Sequence, residues 1–122
     1  MTDPSRTSSH HRIVIAGGGT AGLSVAASLL RESPQLDVAV IEPSDDHYYQ
    51  PGWTLVGGGD MRARDTHRHE ADVMPDKATW IKDAVAGFAP DDNRVKLASG
   101  AGVSYDFLVV ALGLQLDWDA IE

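Results

Sequence analysis

Apolar positions fall into a few unbroken runs and one helical stripe, separated by a long stretch without a clear period. Ile13-Val14-Ile15-Ala16 is continuous rather than alternating, as in a strand covered on both faces of a parallel sheet. It ends in Gly17-Gly18-Gly19. From Ala21 to Arg31, the residues Ala21, Val25, Ala26, Leu29 and Leu30 recur at helical spacing, and Pro34 ends that helix by biasing Ser33 towards extended backbone. Leu36–Ile41 (LDVAVI) predicts a second strand, closing a β-turn-α-β unit. From Ser44 to Ala78 no segment is strongly periodic, and RARDTHRHEADV is expected to add only a helical turn or two. Thr79–Ala89, Arg94–Ala98 and Val103–Tyr105 then read as strands joined by the turn signals PDDN and SGAG. Together they predict an antiparallel meander in place of a second crossover helix. Phe107–Leu112 (FLVVAL) is a further apolar run that stops at Gly113.

The expected fold class is therefore α/β: a Rossmann-like βαβ unit with parallel strands and an inserted β-meander. Residues 1–12 (MTDPSRTSSHHR) are polar, lack the apolar core of a signal peptide, and read as a disordered leader. Residues 13–122 then form the nucleotide-binding part of a domain, incomplete because LQLDWDAIE carries no closing cap or turn. No apolar stretch approaches the roughly 18–20 residues of a membrane span. Strands apolar throughout need cover on both faces, which one helix cannot provide, so exposed apolar surface or self-association is expected.

Charge and composition narrow the function. The net charge of −8 opposes a nucleic-acid partner and electrostatic docking on an anionic membrane, but not a phosphate held locally by backbone N–H groups. There is no cysteine, hence no disulfide, no thiolate metal site and no thiol redox chemistry within the chain. Ser24 and Ser28 have no base at a recognisable spacing. His67-Arg68-His69 is a poor metal pair if helical, because residues at i and i+2 do not share a helix face, and no third ligand is evident. No metal site is assigned.

The chemistry is concentrated in Gly17-Gly18-Gly19-Thr20-Ala21-Gly22, a G-x-G-x-x-G pattern between a buried strand and a helix, with Glu42 twenty residues beyond Gly22. That is the full context of a dinucleotide fingerprint. Gly17 permits the tight turn, Gly19 lets backbone approach a pyrophosphate, and Gly22 allows close helix–strand packing. The first helical turn has no Asp or Glu, leaving its N–H groups and partial positive charge to an anion. Glu42 suits a ribose diol and would repel a 2′-phosphate. By spacing alone the ligand is FAD or NAD. HYYQPGWTLVGGG, from His47 to Gly59, follows the carboxyl end of a parallel strand, where open α/β sheets bind ligands. Its glutamine-proline pair and triple glycine suggest a wall of that site rather than packing alone.

With these residues in view, the chain resembles the two-dinucleotide-binding-domain flavoproteins, through IVIAGGGTAG, the acid of VIEP and the strand-final ALG. More narrowly it resembles the sulfide:quinone oxidoreductase family, through EPSDDHYYQPGWTLVGGG, WIKDAVAGFAPDDNRV and YDFLVVALGLQLDW. The resemblance implies FAD as cofactor. It implies contacts from Thr20 and Ala21 to the pyrophosphate, and from Glu42, beside Pro43, to the adenosine ribose. It places Gln50 and Pro51 near the flavin, the Val85 backbone at adenine, and Ala111 and Gly113 along the cofactor. The family oxidises sulfide through paired cysteines beside the flavin and passes electrons to a membrane quinone, either as a cytoplasmic or as a peripheral inner-membrane protein. This chain carries neither those cysteines nor a second nucleotide-binding half. It is expected to be an N-terminal fragment or truncated product of such an FAD-dependent oxidoreductase, inactive alone. Two alternatives stay open at this point: part of a type-II NADH:quinone oxidoreductase or other flavoprotein disulfide reductase, and a non-catalytic nucleotide-binding module.

Overall fold

Eight strands and three short-to-medium helices surround a parallel core, in a computed structural model that describes residues 9–121. Strand β1 spans Ser9–Ala16, helix α1 Thr20–Glu32 and strand β2 Val38–Ile41. The apolar run fixes the centre of β1: Val14, Ile15 and Ala16 have no exposed surface. Helix α1 stops because Ser33 is extended, with φ −138° and ψ 86°, ahead of Pro34. Beyond β2 come β3 (Asp46–Tyr48), α2 (Trp53–Gly57), β4 (His67–His69), α3 (Glu70–Val73) and β5 (Thr79–Ile81). The chain then runs through β6 (Val85–Ala89), β7 (Arg94–Leu97) and β8 (Gly102–Val110).

Six strands form one sheet in the order β5-β2-β1-β8-β7-β6, and β3 pairs antiparallel with β4 in a separate ribbon. β1 is parallel to β2 on one side and to β8 on the other, with Ile15 opposite Val40 and Val109 respectively. The sheet grows from β1 through β2 to β5 on one side and has β8 on the other, so the strand order reverses at β1. Open α/β sheets bind ligands at the carboxyl ends of such a point. The α/β class, the βαβ unit and the mostly parallel sheet are as the sequence predicts.

Alternation along β1 and β2 separates two cores. Ile15, Val38 and Val40 pack under Leu23, Ala26 and Leu30 of α1. Val14 and Ile41 face the other way, onto Val95, Leu97, Val103 and Tyr105. The meander thus covers the second face of β1 and β2, where the sequence suggested bare apolar strand. Apolar exposure collects instead at Phe107 and Val110 and along Leu112, Leu114, Leu116, Trp118 and Ile121.

Three expectations need correction. Residues 9–12 of the supposed leader belong to β1; residues 1–8 lie outside the described residues. That polar extension is held by its pairing with β8 and by polar side-chain contacts rather than by burial: Arg12 reaches Asp106 at 3.1 Å and His11 reaches Asp37 at 2.8 Å. The guanidinium of Arg12 holds the Asp106 carboxyl below the usual carboxylate range. Second, Thr79–Ala89 is two strands. β5 is a third parallel strand beside β2, and the chain turns at Asp83, whose side chain accepts the Ala84 N–H at 2.8 Å. Third, β8 is a single strand across both predicted runs, because the polar Asp106 that interrupts them lies outward towards Arg12.

Candidate functional site

The strand–turn–helix corner is built by two close approaches. Gly17 sits at φ +111°, with its N–H donating to the Ile41 carbonyl at 2.9 Å. A Cβ there would overlap the backbone of Ala111, which is itself tied by its N–H to the Ala16 carbonyl at 2.8 Å. At Gly22 a Cβ would overlap the Gly17 carbonyl oxygen, so α1 lies directly against the turn. Gly19 differs from both: its ideal Cβ meets nothing within 4 Å and its backbone is extended, φ −76° and ψ −167°. Space therefore opens directly in front of the α1 N-terminus, which has no side-chain cap and no acid in its first turn. An anion is the complement such a terminus lacks.

A cleft of about 380 Å³ occupies that space. Gly19, Thr20 and Ala21 form its floor, Glu42 one side, Gln50 and Pro51 another, and Ala111 and Gly113 the β8 side. A second cleft adjoins it across Glu42, Leu112 and Leu114, and contains Gly17, Pro43 and Val85. Gly22 lines neither and serves packing. Gly22 apart, the residues singled out for cofactor contact thus line two adjoining clefts that run from the meander past Glu42 to the aromatic segment.

Glu42 is fixed rather than free. Its carboxylate accepts the Gly18 N–H at 3.0 Å and the Ser44 N–H at 2.9 Å, and its carbonyl accepts the Trp80 indole N–H at 2.9 Å. Each carboxylate oxygen keeps lone-pair capacity towards the groove.

The segment from His47 to Gly59 is structured. Tyr48 ends β3, a turn of 3₁₀ helix covers Gln50–Gly52, and Trp53–Gly57 is α2. His47, Tyr48, Gln50 and Pro51 line the cleft. Trp53 and the triple glycine do not: Trp53 donates to Thr66 Oγ1 at 3.2 Å and meets Tyr48 edge-on, and Gly57–Gly59 end α2 in a turn. The expectation of a cleft wall fits the first half of the segment and fails for the second.

The structure adds Glu70. Only 1% exposed, it lines the cleft behind Gly18, and one of its carboxylate oxygens has no hydrogen-bond partner. The other lies 3.4 Å from His47 Nδ1. Burial first, and then the nearby Glu42 charge, raise its pKa to about 7. A folded-state pKa above the unfolded value means that folding takes up a proton. Glu70 therefore supports stability fully below about pH 4.5 and loses that support as pH rises through 7. In buffer containing a chelator, the stability difference between wild type and Glu70→Gln should shift in favour of the glutamine variant from pH 5 to pH 8. The expected change is on the order of 2–3 kcal/mol. A difference that is flat with pH in urea melts would contradict this origin.

The helical argument against His67 and His69 also fails. They lie on a strand, where i and i+2 share a face, and Asp46 of β3 faces them.

Comparison with known proteins now decides the family, since residues 11–117 match the model for pyridine nucleotide-disulphide oxidoreductases. The chain belongs to that family. It is 47% identical over 112 residues to the mitochondrial sulfide:quinone oxidoreductase of Dictyostelium discoideum, covering 91% of this chain and 25% of that protein. It is 40% identical over 113 residues to the mouse mitochondrial enzyme, covering 93% of this chain and 25% of the relative. The chain thus spans about a quarter of the length of the curated relatives it matches. The sulfide:quinone oxidoreductase of Aquifex aeolicus has the same fold, with a TM-score of 0.72 at 24% identity over 91% of this chain and 26% of its own. NDH2 of Plasmodium falciparum shares the fold at a TM-score of 0.65 and 18% identity, covering 91% of this chain and 24% of its own. The family and its sulfide:quinone oxidoreductase homologues are FAD-binding flavoproteins and oxidoreductases. The groove fits that cofactor on its own terms: an uncapped helix terminus faces open space beside a fixed acid.

Proposed function

We propose that the chain is the FAD-cradling part of a sulfide:quinone oxidoreductase-like flavoprotein. The observation that carries this reading is the uncapped α1 terminus behind Gly19, in a chain homologous along 91% of its length to such an enzyme. The backbone N–H groups of Thr20 and Ala21 would hold the pyrophosphate, and Gly19 gives it room. Glu42 would take the adenosine ribose, and the second cleft, with Pro43 and the Val85 backbone, the adenine. Gln50 and Pro51 would border the flavin, with Ala111 and Gly113 along the cofactor between. Gly17 and Gly22 keep the turn and helix in place. When bound, FAD supplies reversible electron acceptance; this chain's residues bind it, orient it and exclude water from one side.

For the enzyme as a whole, the proposed reaction is oxidation of sulfide with delivery of electrons to a membrane quinone, at the periphery of an inner membrane. Among the described residues no helix is long and apolar enough to cross a membrane. With no cysteine the chain supplies none of the sulfur chemistry, and we infer no turnover by the 122 residues alone. The exposed apolar strip from Phe107 to Ile121 supports self-association of the isolated chain.

Purified chain equilibrated with FAD and desalted should be yellow, with flavin absorbance in proportion to protein, and should show no sulfide-dependent quinone reduction. A folded chain that stays colourless would refute the cradle. Quinone reduction at a normal flavoprotein rate would refute the restriction to cofactor binding.

A further inference from the structure

We propose a divalent transition-metal site of zinc type on the β3–β4 ribbon, held by Asp46, His67 and His69. The ribbon pairs Asp46 directly with His69 and Tyr48 with His67, so alternation puts Asp46, His67 and His69 on one face. One ligand atom from each lies within 4.8 Å of the others. His67 Nε2 and Asp46 Oδ1 are already 2.7 Å apart, and the two imidazole rings meet edge to face at 5.5 Å. Ligand atoms on a tetrahedral ion with bonds of about 2.0–2.1 Å stand about 3.3 Å apart. Closing the cluster to that size calls on side-chain rotation, on a backbone held by the β3–β4 pairing. Two neutral imidazoles and one carboxylate are a donor set for Zn²⁺ and its neighbours rather than for Ca²⁺ or Mg²⁺, which select oxygen. Binding replaces the hydrogen bond between His67 and Asp46 and leaves one coordination position for water. Asp46 and His69 are exposed and His67 half-buried, so the face is open to an incoming ion. Asp46 also borders the cleft proposed for FAD, but the metal site needs no cofactor, and either reading can fail alone.

Calorimetric titration of the 122-residue chain with Zn²⁺ near neutral pH tests it. Wild type should bind one ion per chain. His69→Gln and Asp46→Asn should each weaken binding about tenfold or more, since loss of a ligand exceeds the 10–100-fold cost of losing a group behind one. Both residues are exposed, so the variants should melt like wild type. Two histidine–acid pairs away from the ribbon, His10 with Asp106 and His11 with Asp37, provide the control. His10→Gln/His11→Gln should bind Zn²⁺ like wild type. No saturable binding by wild type, unchanged binding by His69→Gln, or an equal loss in the control would each overturn the site.

Discussion

Replacing Gly22 with alanine should cost the chain on the order of 3 kcal/mol or more, against a total stability of about 5–15 kcal/mol for a domain. The added methyl has nowhere to go. It would overlap the Gly17 carbonyl oxygen, with the Ile15 side chain next in line, and both belong to the corner that locks β1 to α1. The Gly17 oxygen is backbone, so relief requires α1 to lift from the sheet. That would open the core in which Leu23, Ala26 and Leu30 cover Ile15, Val38 and Val40. Gly57→Ala is the matched control: an ideal Cβ there meets nothing within 4 Å, and alanine favours the helix α2 that contains it. Urea denaturation should show a large loss of midpoint for Gly22→Ala and a neutral or slightly raised one for Gly57→Ala. Equal midpoints for Gly22→Ala and wild type would mean that the helix is not seated as tightly as the structure shows.

The corner was readable in the sequence because its determinants are local. A buried strand, a glycine turn and a helix follow one another within the span from Ile13 to Arg31, and each glycine's task is set by neighbours a few positions away. Glu42 was legible for the same reason, as the residue immediately beyond the next apolar strand. What escaped the sequence depends on partners far along the chain. Residues 9–12 look like a polar leader until Asp106 and Asp37 arrive opposite Arg12 and His11. β8 looks like two strands until the same aspartate is seen to be paired. Glu70 sits in the polar run RHEAD and reads as a solvated side chain. Its burial follows from the pairing of β4 with β3, which turns it behind Gly18. Helical geometry denies His67 and His69 a common face, and the strand gives them one. Hydrophobic period cannot show any of these, because what holds them is hydrogen bonds and ion pairs between distant residues.

Gly19→Val carries the second large effect, and it acts on binding rather than on folding. Glycine at this position has negative φ and open space at its Cβ, so valine should be accommodated with little change in the midpoint of unfolding. Its side chain would fill the volume in front of the α1 terminus that the pyrophosphate is proposed to occupy. Hydrogen bonds to a charged group contribute about 1.5–3 kcal/mol each, so denying even two of them should weaken FAD binding about 100-fold or more. The most direct test of the account is therefore a titration of FAD into wild type and Gly19→Val, followed by flavin fluorescence, on samples shown to unfold at the same urea concentration. Saturable binding by wild type and its loss in Gly19→Val would place the dinucleotide at the helix terminus. Equal affinity in the two proteins would contradict the account at its centre, because FAD would then be held somewhere other than the groove between Gly19, Glu42 and Ala111.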